Sequence, residues 1–257
     1  MSDVRFTPQM TIQHLVSQRG IHIEEIGVAP VVILTWSRKL VDYFATQIGA
    51  EPSPHWLYPE RFPLFNGIIK GHTVSLVYAS VGAAGTVMVM EELIACGARS
   101  FVGLGWAGSL QPHAPVGTLL IPTACLREEG TSFHYYPGEV TLSPDRTLVD
   151  NLQQTAQELG IQALEGLQWT TDAPYRETIA KIEAYRQQGV LGVDMETSAM
   201  LALGLYRQVR VANLLVVSDE LWQAWNPGFR SPELITATEQ ARLVVERSLV
   251  KISQLPS

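Results

Sequence analysis

The chain has 257 residues, of which 46% are hydrophobic and 17% charged, and carries a formal net charge of −7. This length fits one large α/β domain over residues 1–257, with a substantial buried core. The acidic balance excludes a general nucleic-acid binder, which needs a basic face, and no apolar run approaches the roughly 18 residues of a membrane-spanning helix.

The start, Met1-Ser-Asp-Val-Arg-Phe-Thr-Pro8, lacks a basic stretch followed by an apolar run, so no signal peptide and a cytoplasmic location are expected. The first strand is predicted at Val31–Trp36 and the first helix at Lys39–Ile48, stopped by Gly49. Glu51–Phe65, rich in proline, histidine and aromatics, reads as an ordered loop. A strand at Thr73–Val81, a helix at Thr86–Cys96 ended by Gly97 and a strand at Ser100–Leu104 follow. Next come a strand at Thr118–Leu126 and a helix at Pro144–Leu159, with Ser143 as its cap, Pro144 at the first helical position and Gly160 as its stop. Helices at Glu177–Gln188 and Glu196–Arg207, a strand at Asn213–Val217 and a helix at Pro232–Ile252 capped by Ser231 complete the chain. Strands rich in Val, Ile and Leu that alternate with helical segments point to an α/β layer fold. Cys96 and Cys125 both sit in apolar surroundings, where buried free thiols are expected rather than a disulfide.

Gly103-Leu-Gly105-Trp-Ala-Gly108 matches the dinucleotide pattern G-x-G-x-x-G. That chemistry needs a helix to open at the turn and receive a pyrophosphate on its amides. Pro112 and Pro115 follow too closely for such a helix, so no nicotinamide or flavin cofactor is expected. The glycines are read instead as a tight turn or as room for a ligand close to the backbone.

In longer context, Gly105-Trp-Ala-Gly108-Ser-Leu-Gln-Pro-His-Ala-Pro-Val-Gly117-Thr-Leu-Leu-Ile-Pro122 is similar to the central signature of the purine and uridine phosphorylase family. Arg127-Glu-Glu-Gly130-Thr-Ser-Phe-His134-Tyr-Tyr-Pro137 resembles the uridine-phosphorylase branch, whereas Ser218-Asp219 resembles the purine-acting one. Gly192-Val-Asp-Met195-Glu196-Thr-Ser-Ala and Val216-Val-Ser218-Asp219-Glu stand in the family's order. The resemblance spans Val31 to Glu220. It implies a three-layer αβα sandwich around a mixed, partly barrel-like sheet, and cleavage of a nucleoside's N-glycosidic bond, foremost by phosphorolysis.

Cleaving that bond builds positive charge on the sugar and negative charge on the departing base. The resemblance gives Glu196 the ribose hydroxyls, with Met195 as an apolar floor, and gives Asp219 the proton for the leaving base. It assigns base contacts to Ala107, Gly108, Thr171, Asp172, Tyr175 and Arg176, and a ribose contact across a subunit interface to His14. It further implies phosphate binding by Arg38 and Arg61, nucleoside and inorganic phosphate as ligands, and a homo-oligomer built from dimers, up to a hexamer. No metal site is expected, because the six histidines lack ligand spacing.

The chain departs from the family at the anion clamp. Leu34 and Thr35 replace the glycine and aspartate of its first loop, Gly103 replaces an arginine, and Trp106 a small hydroxyl residue. A glycine offers no guanidinium fork to an anion, and a tryptophan fills the space an anion needs; Arg127 is the remaining substitute arginine. Two further readings therefore stay open on the sequence alone: hydrolysis of the nucleoside without phosphate, and non-catalytic nucleoside binding.

Overall fold

The structure, a computed structural model, describes residues 4–252; residues 1–3, part of the leader reading, and 253–257 lie outside the described residues. In chain order the elements are α1 (Pro8–Arg19), β1 (Val31–Thr35), α2 (Arg38–Ile48), β2 (Glu51–Pro52), β3 (Leu64–Ile69), β4 (His72–Tyr78), α3 (Ala83–Ala95), β5 (Ser100–Ser109), β6 (Leu119–Glu128), α4 (Arg146–Glu158), β7 (Ala163–Thr171), α5 (Ile179–Gln187), β8 (Gly192–Asp194), α6 (Thr197–Arg207), β9 (Arg210–Glu220), β10 (Asn226–Pro227) and α7 (Pro232–Ile252).

The strands form one ten-stranded sheet in the order β10-β9-β6-β7-β8-β5-β1-β4-β3-β2, with an additional β9–β5 pairing. That pairing closes β5, β9, β6, β7 and β8 into a ring, so the sheet is mixed and partly barrel-like, as expected. β1 runs parallel to both β4 and β5, and β5 runs parallel to β9. All five residues of β1 are buried, because helices cover both faces of the sheet. On one face Phe44 of α2, Leu152 of α4 and Val245 of α7 pack against Ile33 and Leu214. On the other, Ile12 of α1, Met90 of α3 and Met200 of α6 pack against Val32 and Phe101. The helix–sheet–helix layering is that of an α/β sandwich.

Several expected boundaries move, each for a local reason. α4 is capped by Asp145, whose side chain accepts from the Leu148 amide, so Ser143 and Pro144 lie outside the helix. Ser231 does cap α7, accepting from the Leu234 amide at 3.2 Å. α5 begins only at Ile179 behind the Thr178 cap, which leaves Glu177 in the preceding turn. Leu64–Ile69 and Ala163–Thr171 are strands with glycine or polar residues interrupting their apolar pattern. α1 buries only Ile12 and Val16, too narrow a stripe to stand out in the sequence. Cys125 is buried and Cys96 half-buried, and both are free.

The glycine run makes no turn. β5 continues through Gly103, Gly105 and Gly108 to Ser109, and the glycines serve close packing. A Cβ on Gly105 would stand 2.7 Å from the Trp36 ring, and one on Gly108 would stand 2.7 Å from Leu221. Trp36 lies across this floor, its indole donating to Thr86 Oγ1 at 2.8 Å.

Candidate active site

The C-terminal ends of β1, β5 and β9, all parallel, open into a cavity of about 870 Å³. Ligand sites of open α/β sheets gather at such ends. Thr35, Trp36 and Ser37 follow β1, and Gly105, Trp106, Ala107 and Gly108 line the floor. Ser218 and Asp219 come from β9, where the ladder to β5 shifts register: Ala107 faces Val217, but Gly108 faces Asp219. Such a bulge adds a residue to one strand and re-aims the side chains beyond it. Ser218 donates to Asp219 Oδ1 at 2.7 Å and Trp225 Nε1 donates to Oδ2 at 2.9 Å, so both carboxyl oxygens are engaged.

The other wall is the junction of β8 and α6, where Asp194, Met195 and Glu196 line the cavity. Asp194 is buried and anchors the junction. It accepts from Thr170 Oγ1 at 2.8 Å, from the Thr197 amide at 3.1 Å and from the Thr197 hydroxyl. Glu196 ends one residue short of α6, and its Oε1 accepts from the Gly82 amide at 2.5 Å. Gly82 has φ +104, a conformation that favours glycine, at the start of α3. Burial first, and the neighbouring Asp194 second, push the Glu196 carboxyl above the usual carboxylate range. Burial likewise raises Asp194, against the pull of its hydrogen bonds. The cavity wall thus holds a buried carboxyl that hydroxyl donors would stabilise in its ionised form.

Between these walls, the turn before α5 contributes Pro174, Tyr175 and Glu177, and Trp225 and Phe229 complete the rim. Glu177 is raised to about 7, by burial first and by the nearby Asp219 second. Glu177, expected at a helix start, stands instead in the turn before α5, and Trp36, Trp225 and Phe229 carry no signature in the sequence that marks them as site residues.

Of the expected residues, Met195, Glu196, Ala107, Gly108, Tyr175 and Asp219 line the cavity together. Thr171 is buried behind it and accepts from the Ala173 amide, while Asp172 accepts from the Gly130 amide at 2.8 Å. Arg176 is exposed and outside the lining. Arg38 is paired with Asp42 at 3.1 Å on the surface of α2, and Arg61 is exposed with its guanidinium 4.9 Å from the Phe62 ring. His14 is exposed on α1. Arg127 is not free to swing in: it donates to Ser132 Oγ, Pro137 O and Tyr136 O and stacks over Phe133 at 4.2 Å.

Among the described residues, no Arg, Lys or His side chain lines this cavity. Trp36, rather than Trp106, covers the glycines; Trp106 is 44% exposed and its indole reaches Thr238 at 3.4 Å. A second cleft of about 710 Å³, beside the start of α7, gathers none of the expected residues. Among the described residues, no group of three or more His, Cys, Asp or Glu is arranged to hold a metal, and no helix is long and apolar enough to cross a membrane.

Curated relatives include a uridine phosphorylase from Treponema pallidum, 28% identical over 231 residues that cover 85% of this chain and 86% of the relative. A purine nucleoside phosphorylase from Plasmodium falciparum is 27% identical over 213 residues, covering 82% and 86%. Among solved structures, purine nucleoside phosphorylase from Toxoplasma gondii superposes with a TM-score of 0.83 at 23% identity, over 91% of this chain and 96% of that one. Uridine phosphorylase from Vibrio fischeri superposes with a TM-score of 0.80 at 24% identity, over 90% and 96%. These two share the fold, including the partly closed sheet. The sequence profile of the Phosphorylase superfamily matches residues 30–249, so the chain belongs to that superfamily and is a nucleoside phosphorylase-like enzyme of the pentosyltransferase type.

Proposed function

We propose that this cavity cleaves the N-glycosidic bond of a nucleoside. The observation that carries the proposal is the joint lining of one pocket by Met195 and Glu196 on one wall and Asp219 on the other. In this reading Glu196 accepts hydrogen bonds from the ribose hydroxyls and steadies the cationic sugar, with Met195 beneath the ring. The base lies between Ala107, Gly108 and Tyr175, and a carboxyl at its end of the pocket supplies the proton that lets it leave. Thr171, Asp172 and Arg176 then support the base end from outside the lining.

Phosphate is the acceptor that family membership supports, giving free base and a pentose 1-phosphate. Arg38 and Arg61 remain the candidate phosphate ligands, though Arg38 must first leave Asp42. In a homo-oligomer built from dimers, Arg61 and His14 would act in the cavity of a neighbouring copy. Water is the second reading, favoured by one specific observation: a dianion would meet carboxylates and the Trp36 ring in this lining but no cation. Bringing an uncompensated anion there is costly.

The test is base release from uridine, thymidine, inosine, adenosine and methylthioadenosine, with and without phosphate. Release that rises with phosphate and yields a pentose 1-phosphate supports phosphorolysis. Release indifferent to phosphate establishes hydrolysis, and none from any nucleoside removes the proposal of glycosidic cleavage.

A further inference from the structure

Two carboxyls, not one, face the base end of the cavity. Asp219 sits at the β9 bulge, and Glu177 sits in the turn that α5 leaves outside its first residue. Their surroundings divide the work. Each oxygen of Asp219 already accepts a hydrogen bond, from Ser218 and from the Trp225 indole. Glu177 is half-buried beside them. The other acidic groups on the cavity wall are Asp194 and Glu196, from the β8–α6 junction, and among the described residues the lining holds no Arg, Lys or His. Arg176, next to Glu177 in the chain, is exposed and outside the lining. A half-buried carboxyl beside a second carboxylate is stabilised in its protonated form.

We propose that Glu177 is the catalytic acid that protonates the departing base, and that Asp219 is the fixed anionic partner that keeps that proton in place. The assignment rests on the glycosidic-cleavage reading and refines it. As the bond between C1′ and the base nitrogen breaks, its electron pair goes to the base. The Glu177 carboxyl gives its proton to a base nitrogen and becomes a carboxylate. The acceptor, water or hydrogen phosphate, forms the new bond to C1′ and loses its own O–H proton, which returns to Glu177 through solvent. No other reagent is required. The position of Glu177 near neutrality, about 7, suits proton transfer at ordinary pH.

The experiment measures kcat and kcat/KM against pH for the wild type, E177Q, E177D and D219N, on whichever of inosine, adenosine and uridine the wild type cleaves. Folding is checked by thermal melting. The wild type should lose kcat/KM, which reports the free enzyme, as pH rises through about 7. E177Q should fall by about 100-fold, the lower range of general acid catalysis, keep its KM within about threefold and lose the basic limb of the profile. E177D should recover part of the rate. D219N should keep that limb but move it to lower pH, because the negative charge that helps hold the Glu177 proton is gone. A merely structural Glu177 would change KM and melting temperature and leave the limb in place. The proposal is overturned if E177Q keeps the wild-type limb, or if D219N alone abolishes it. Should the wild type cleave none of the nucleosides, the glycosidic reading and this assignment fall together; wild-type cleavage with an unaltered E177Q profile removes only the assignment.

Discussion

Gly105→Ala provides a worked test of the way the cavity floor is built. The added Cβ would lie 2.7 Å from one carbon of the Trp36 ring and 2.8 Å from another, while Leu215 at 3.5 Å is in ordinary contact. The clash is therefore with one rigid indole, itself tethered to Thr86 Oγ1 at 2.8 Å. Relief requires the ring to move, which costs about 1–3 kcal/mol in overpacking and about 1 kcal/mol if the hydrogen bond breaks. Replacing glycine inside a strand returns roughly 0.5 kcal/mol. The expected net loss is about 2 kcal/mol, read as a shift in the urea midpoint at constant slope. In a Trp36→Leu background the ring is absent, so the same substitution should cost nearly nothing, giving a coupling of about 2 kcal/mol. Gly103→Ala is the internal control. Its Cβ would meet Asn213 Oδ1 at 2.2 Å, a clash that outlasts removal of Trp36, so it should remain costly in both backgrounds. Equal costs for Gly105→Ala in the two backgrounds would refute the account of Trp36 as the side chain that dictates glycine here.

Other expectations follow from the same geometry. Asp194→Ala leaves the Thr197 amide and the Thr170 and Thr197 hydroxyls without their acceptor and should destabilise by about 3 kcal/mol; a loss below 1 kcal/mol in urea unfolding would contradict the anchoring role. Because Glu177 holds its proton to about pH 7 when folded, against 4.5 ordinarily, the folded state binds more protons than the unfolded one over that interval. Its contribution is therefore fully present below the ordinary value and is lost as pH rises through about 7. After discounting for partial exposure, the wild type should lose about 1–2 kcal/mol more than E177Q between pH 5 and pH 8, in paired denaturation curves; identical losses would refute the burial argument. Arg127→Ala removes four hydrogen bonds and a ring contact, all outside the cavity lining. It should lower thermal stability while leaving KM within about twofold, and a large rise in KM would place Arg127 at the ligand after all.

The α/β layering was legible because buried parallel strands write themselves as apolar runs, as at Val31–Thr35 and Val211–Val217. Leu64–Ile69 and Ala163–Thr171 were not, since Gly67, Gly166 and polar residues break their runs where tertiary pairing overrides local preference. Met195, Glu196 and Asp219 were legible through motif context, and they do share one cavity. The register shift that brings Asp219 opposite Gly108 is invisible in one dimension. So is the delayed start of α5, which frees Glu177: its position depends on Thr178 rather than Glu177 capping the helix. The glycines at 103 and 105 were conspicuous, but their partner was not; only the fold shows that Trp36 needs the space.

The most direct test of the central claim is quantification of free base released from nucleosides by the wild type and by Glu196→Ala under identical conditions. The account predicts release by the wild type and a fall of at least about 100-fold in kcat/KM on loss of the carboxylate that steadies the sugar. Release that is unaffected by Glu196→Ala would contradict it.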